Sequence, residues 1–140
     1  MKQIPVIFWT GTGNTQMMAD AVAEAINAAG AEAVVKNISE ITADEAAGYD
    51  ARALGCPAMG AGVLEECEFE PFFTELEGKL AGKKVAIFGS YGWGGSYMQD
   101  WEARVKDAGA TLVADGVLAL GAPDDEAMAK LTEAGKLLAE

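Results

Sequence analysis

Ile4-Pro5-Val6-Ile7-Phe8-Trp9 runs directly into Thr10-Gly11-Thr12-Gly13-Asn14-Thr15, and this junction sets the architecture. The first segment is a short apolar run with no helical period. It is bounded by a Gly/Thr-rich turn, as suits a strand buried on both faces of a parallel sheet. Beyond the turn, Met18, Val22, Ala25 and Ala29 recur at helical spacing and Gly30 supplies a stop signal. The result is a strand-loop-helix unit whose loop lies at the carboxyl end of the strand.

The same alternation continues downstream. Ala33 to Val35 reads as a second strand, and Ile38 to Gly48 as a connection with one helical turn around Ala43 to Ala47. Ala51 to Cys56 reads as a third strand, in which Arg52 is expected near the entrance and paired with an acid, because a lone buried charge is costly. Pro71, Phe72, Phe73, Leu76 and Leu80 outline a helix, and Val85 to Ser90 the next strand. Ser96 is a candidate N-cap for a helix carrying Met98, Trp101 and Val105 and ending at Gly109. Thr111 to Leu120 forms a fifth strand, bent or broken at Asp115-Gly116. Pro123 and the acids Asp124, Asp125 and Glu126 open a last helix, with Met128, Leu131 and Leu138 facing inward. Strands alternating with helices imply right-handed crossovers and a three-layer α/β fold, a doubly wound five-stranded parallel sheet with helices on both faces. In such sheets a ligand binds beyond the carboxyl ends of the strands, where strand order reverses.

Composition narrows the function. The chain has 140 residues, 51% of them hydrophobic and 23% charged, which suits one globular domain over residues 1–140. Its N-terminus lacks a signal-peptide core, and no run approaches the ~18 apolar residues that cross a bilayer, so a cytoplasmic location is expected. Cys56 and Cys67 have no Cys-x-x-Cys spacing and the chain has no histidine, which removes the parts for structural zinc and for Cys/His catalysis. Reduced thiols are expected. A net charge of −12 argues against nucleic-acid and membrane partners. Acidity alone reads as solubility; docking to a basic partner follows only once a site is identified.

That site begins at Thr10, Gly11, Thr12, Gly13, Asn14 and Thr15. Backbone N–H groups at a helix N-terminus attract an anion, and the hydroxyls and amide add neutral donors. Each hydrogen bond to a charged group contributes about 1.5–3 kcal/mol, so half a dozen hold a terminal monophosphate without a cation. The segment is not a P-loop, lacking Gly-Lys-Ser/Thr, and it carries Gln16 where a dinucleotide fingerprint needs its third glycine.

Two further stretches, Gly55-Cys56-Pro57-Ala58-Met59-Gly60 and Phe88-Gly89-Ser90-Tyr91-Gly92-Trp93-Gly94, together with Thr10 to Thr15 and with Glu65 to Phe73, resemble the short-chain, clostridial-type flavodoxins. The resemblance spans essentially the whole chain. It implies a flavoprotein that binds FMN and carries single electrons at low potential between redox enzymes, using the semiquinone/hydroquinone couple, with no catalytic or metal-binding residue of its own. Thr10 to Thr15 would hold the phosphate, while Pro57, Ala58, Met59 and Gly60 flank one face of the flavin and Ser90, Tyr91, Gly92, Trp93 and Gly94 the other. Trp93 would stack on the outer face and Met59 pack on the inner one, in keeping with the flat indole and soft thioether. Amides of Gly92, Trp93 and Gly94 would bond the pyrimidine edge, with Ser90 an additional phosphate or ribityl contact. Gly60 would permit the peptide flip that turns a carbonyl toward the protonated flavin N5, a move inexpensive only for glycine.

One departure stands out. Clostridial relatives typically carry an acidic pair after the methionine and glycine; here Ala61 and Gly62 take those positions. Weaker FMN binding and altered midpoint potentials are the expectation. The resemblance further implies a monomer that docks on basic faces of partners such as reductases, pyruvate:ferredoxin oxidoreductase, hydrogenase or nitrogenase. A flavodoxin-like NAD(P)H:quinone reductase is the alternative, and it would need inserted segments or a second subunit to bind its substrate. A receiver-type signalling module shares the strand order, but it requires a phosphoacceptor aspartate where the first loop offers threonines.

Overall fold

The computed structural model describes residues 2–9, 13–57, 68–91 and 97–140. Within them the chain runs β1 (Gln3–Phe8), α1 (Asn14–Ala28), β2 (Glu32–Asn37), a 3-10 turn (Ile38–Glu40), α2 (Ala43–Ala47), β3 (Ala51–Gly55), α3 (Phe69–Glu77), β4 (Lys84–Tyr91), α4 (Tyr97–Asp107), β5 (Thr111–Leu112), β6 (Val117–Leu120) and α5 (Asp125–Ala139). All pairings are parallel and the order is β2-β1-β3-β4-β5, with β6 also on β4. The strand order 2-1-3-4-5, which the resemblance to flavodoxins implies, is the order observed, with the fifth position divided between β5 and β6.

Side-chain alternation divides the interior into two cores. Ile4, Val6 and Phe8 of β1, Ala86 and Phe88 of β4 and Val117 and Ala119 of β6 face α1 and α5. Ile7, Leu54, Val85 and Ile87 point the other way, onto α2, α3 and α4. A strand buried on both sides therefore reads as a continuous apolar run, as β1 does. On the second face Trp101 is fully buried, edge-on to Phe69 and Phe73 at ring distances of 5.4 and 5.9 Å.

The fifth strand position is broken where Asp115-Gly116 signals it. Val85 pairs with Leu112 and Phe88 with Val117, so two residues of β4 (86 and 87) lie opposite four on the edge (113–116). The extra residues form a bulge, and the Gly116 amide it frees donates to the Glu102 carboxylate of α4 at 2.7 Å.

Several local expectations need correction. Met128 is 38% exposed rather than inward; the inward stripe of α5 is Ala127, Leu131, Ala134 and Leu138. Ala29 is an exposed C-cap. Leu80 is fully buried, but it lies beyond the end of α3, in the turn toward β4. Arg52 occupies the entrance of β3 as expected, yet its hydrogen bonds go to the carbonyls of Lys84, at 3.2 Å, and Tyr49 rather than to a carboxylate. Burial lowers its pKa to about 10, and Asp50 opposes this through its charge alone.

Candidate functional site

The carboxyl ends of β1, β3, β4 and β6 converge on one edge of the sheet, and Gly13, Asn14, Thr15, Pro57, Ser90 and Tyr91 all lie there. Of the residues expected to bind a cofactor, Thr10, Gly11, Thr12, Ala58, Met59, Gly60, Gly92, Trp93 and Gly94 lie outside the described residues, as do Ala61, Gly62, Cys67 and Ser96.

Gly13 caps α1 with φ 92°, a left-handed conformation that favours glycine, and its carbonyl accepts from the Met17 amide at 3.1 Å. The cap supplies no side-chain hydrogen bond. In contrast, Asn37 and Glu40 cap the 3-10 turn, Thr42 and Glu45 cap α2, and Asp124 caps α5. Among the described α-helices, α1 is also the one with no acid in its first turn. The first turn of α1 therefore sets no carboxylate of its own against the helix dipole.

Beside that helix end, the Thr15 and Ser90 hydroxyls lie 3.2 Å apart, both residues buried. One hydroxyl of the pair donates to the other, and either can be the donor. A cradle of glycine backbone, an asparagine and two hydroxyls presents neutral donors only. This donor set fits a phosphate monoester, whose charge is satisfied by directed hydrogen bonds rather than by a cation.

The strand ends are tied together at three more places. The Trp9 indole N–H donates to Glu68 at the start of α3 at 3.2 Å, and the Trp9 amide to Gly55 at 3.0 Å. The Tyr97 hydroxyl, on the first residue of α4, donates to the Cys56 carbonyl at 2.8 Å. Gly121, just past β6, donates its amide to the Tyr91 carbonyl at 3.0 Å. Neither the Trp9 nor the Tyr97 tie was legible in the sequence, because their partners are 59 and 41 residues away. The only local hint was an aromatic residue at each margin of a glycine-rich stretch.

Farther from the edge, Arg104 of α4 bridges Glu70 (2.7 Å) and Glu77 (2.9 Å) of α3 while lying over the Phe73 ring at 4.8 Å. Its hydrogen bonds hold the Glu70 carboxyl below the usual carboxylate range, and the two carboxylates push the guanidinium pKa up. Among the described residues no cluster of His, Cys, Asp and Glu could hold a metal ion, and no helix is long and apolar enough to cross a membrane.

Comparison with known proteins agrees with this geometry. The family model described as flavodoxin matches residues 6–135. The flavodoxin of Clostridium beijerinckii is 44% identical over 135 residues, covering 96% of this chain and 97% of its own. That of Megasphaera elsdenii is 45% identical over 116 residues, 82% of this chain and 85% of its own. The solution structure of two-electron reduced Megasphaera elsdenii flavodoxin superposes with a TM-score of 0.89 at 42% identity, covering 97% of this chain and 98% of that one. With fold, strand order and near-complete coverage in accord, the chain belongs to the flavodoxin family.

Proposed function

We propose that the chain, over residues 1–140, is one FMN-binding unit that carries single electrons between redox enzymes. The observation that carries this reading is the α1 N-terminus, which lacks side-chain caps and acids and stands beside the buried Thr15–Ser90 hydroxyl pair. Thr10 to Thr15 and Ser90 hold the phosphate through neutral donors. Pro57, Ala58, Met59 and Gly60 flank one side of the ring system, and Tyr91, Gly92, Trp93 and Gly94 the other. Bound FMN supplies the capacity to accept and release electrons one at a time.

The chain's own part is to position the ring, exclude water and set the electrostatic cost of added charge. One extra negative charge ~10 Å from the ring, at an effective dielectric near 20, raises that cost by about 1.7 kcal/mol, or roughly 70 mV per electron. The net charge of −12 makes several such contributions available, which supports a low-potential carrier. The same charge suits encounters with basic faces on reductases, pyruvate:ferredoxin oxidoreductase, hydrogenase or similar enzymes, by a cytoplasmic monomer. The quinone-reductase alternative is not favoured, since the relatives that match over most of the chain are named flavodoxin.

Adding FMN to the purified, cofactor-stripped chain tests the reading. Stoichiometric quenching of flavin fluorescence, followed by two separated one-electron steps in an anaerobic titration, is the expected result; a chain that leaves FMN fluorescence unchanged would refute it. Mixing with NADPH should produce negligible reduction. Gly62→Asp should tighten FMN binding if the missing acidic pair weakens it.

A further inference from the structure

Segments 58–67 and 92–96, which carry the proposed flavin-flanking residues, leave and re-enter the described chain at four points. Cys56-Pro57 precedes the first segment and Glu68 follows it; Tyr91 precedes the second and Tyr97 follows it. Two of these roots meet directly. The Tyr97 hydroxyl donates to the Cys56 carbonyl at 2.8 Å in a buried environment, with Tyr97 3% exposed. The contact passes over Gly89 of β4, where a Cβ would collide with both the Cys56 carbonyl oxygen and the Tyr97 hydroxyl. The register of the sheet fixes the other side: the Cys56 amide donates to the Phe88 carbonyl at 3.0 Å. Cys56 is therefore held through its amide by β4 and through its carbonyl by α4. Burial pushes the Tyr97 phenol well above its ordinary range, with the Cys56 thiol adding to the effect, so the hydroxyl stays a donor at any working pH.

We propose that Tyr97 is a positioning residue: its hydroxyl latches the end of β3 to the start of α4 across Gly89, and thereby fixes the spacing of Cys56 and Tyr97, the roots from which the two stretches assigned to the flavin depart. The proposal rests on the FMN reading given above. The bond lies on none of the groups assigned to touch the flavin. A latch between roots acts by preorganisation: with Cys56 and Tyr97 tied before the cofactor arrives, less of the binding energy is spent on ordering them. Removing the hydroxyl deletes one buried hydrogen bond between the end of β3 and the start of α4 and returns the cost of ordering them to the binding step.

The test compares wild type, Tyr97→Phe, Gly89→Ala and, as a control, Leu131→Ala, which weakens the opposite core between α5 and the sheet. FMN dissociation constants, both one-electron midpoints and the thermal midpoint of each FMN-free chain are measured, together with amide exchange at Cys56 and Gly89 in the FMN-free state. Tyr97→Phe keeps the ring and should bind FMN about tenfold more weakly, the effect of one lost buried hydrogen bond. It should also alter the gap between the two midpoints and speed exchange at Cys56. Gly89→Ala should act in the same direction by displacing the hydroxyl. Leu131→Ala should lower the thermal midpoint while leaving affinity and midpoints at wild-type values. The latch is overturned if Tyr97→Phe matches wild type in affinity and in both midpoints, or if it changes them only as much as Leu131→Ala does. Wild type that refuses FMN overturns the proposed function instead, and the latch falls with it only if amide exchange is also unaffected by Tyr97→Phe.

Discussion

Thr15 and Ser90 stand 75 residues apart in the chain, yet their hydroxyls share one proton bridge at the tip of α1. Thr15→Val preserves shape and removes the oxygen, leaving the Ser90 hydroxyl buried with one partner fewer. A loss of roughly 1–3 kcal/mol in FMN binding is expected, read as a rise of about five- to 150-fold in the dissociation constant by fluorescence titration. Arg52 makes the opposite point. It is fully buried, its Nε has no partner among the described residues, and its remaining donors satisfy two carbonyls. Because its folded pKa lies below its ordinary value, the buried charge opposes folding at all pH below about 10, and the penalty fades only as pH rises beyond that. Arg52→Met, which keeps the apolar stem, should lie within about 1 kcal/mol of wild type by urea unfolding, whereas Arg52→Ala should cost about 2–4 kcal/mol through the cavity it opens. The placement of Thr15 and Ser90 was legible in the sequence, since one opens the helix after the first expected strand and the other ends a later strand, which puts both at the carboxyl edge of the sheet. Arg52 was legible in place but not in partner: sequence shows that a buried charge needs satisfaction, not which of the carbonyls above it will turn toward it.

At the scale of elements, boundaries followed local chemistry closely. The Thr42 and Glu45 capping box begins α2 where the single helical turn was expected, and the acids at 124–126 open α5. Asp124→Ala removes the acceptor for the Ala127 amide, 2.8 Å away, and should destabilise the chain by about 1 kcal/mol, visible as a lower thermal midpoint. What escaped the sequence is inter-helical. The Arg104 bridge to Glu70 and Glu77 spans 34 and 27 residues, and such pairs leave no periodic trace. Met128 was misplaced because a helical stripe can be drawn through 128, 131 and 138 or through 127, 131, 134 and 138. Alanines at 127 and 134 suit the tight approach to the sheet, a preference that hydrophobicity alone does not reveal. For Glu70 the sign of the pH effect is fixed: a carboxyl held below its ordinary pKa contributes stability that is present above about pH 4.3 and disappears as pH falls through the folded value. Glu70→Gln should therefore lower the thermal midpoint at pH 7 by the equivalent of a few tenths to 1 kcal/mol, the pair being partly exposed. The difference from wild type should vanish in strong acid.

For the whole molecule, charge is the property that any partner meets first. With 22 acidic and 10 basic residues, the chain should transfer electrons to a basic protein acceptor at a rate that falls steeply between about 0.01 and 0.5 M salt. A salt-independent rate would place recognition elsewhere. The interrupted outer strand carries a different consequence. An unbroken row of outward amides and carbonyls along β4's neighbour would offer every other copy a template for strand addition. The four residues crowded opposite two, Asp115 among them, spoil that template, with one amide turned inward onto Glu102. Straightening this margin by deleting two residues between Leu112 and Val117 would expose a sticky seam, and fibrillar self-association would be its signature.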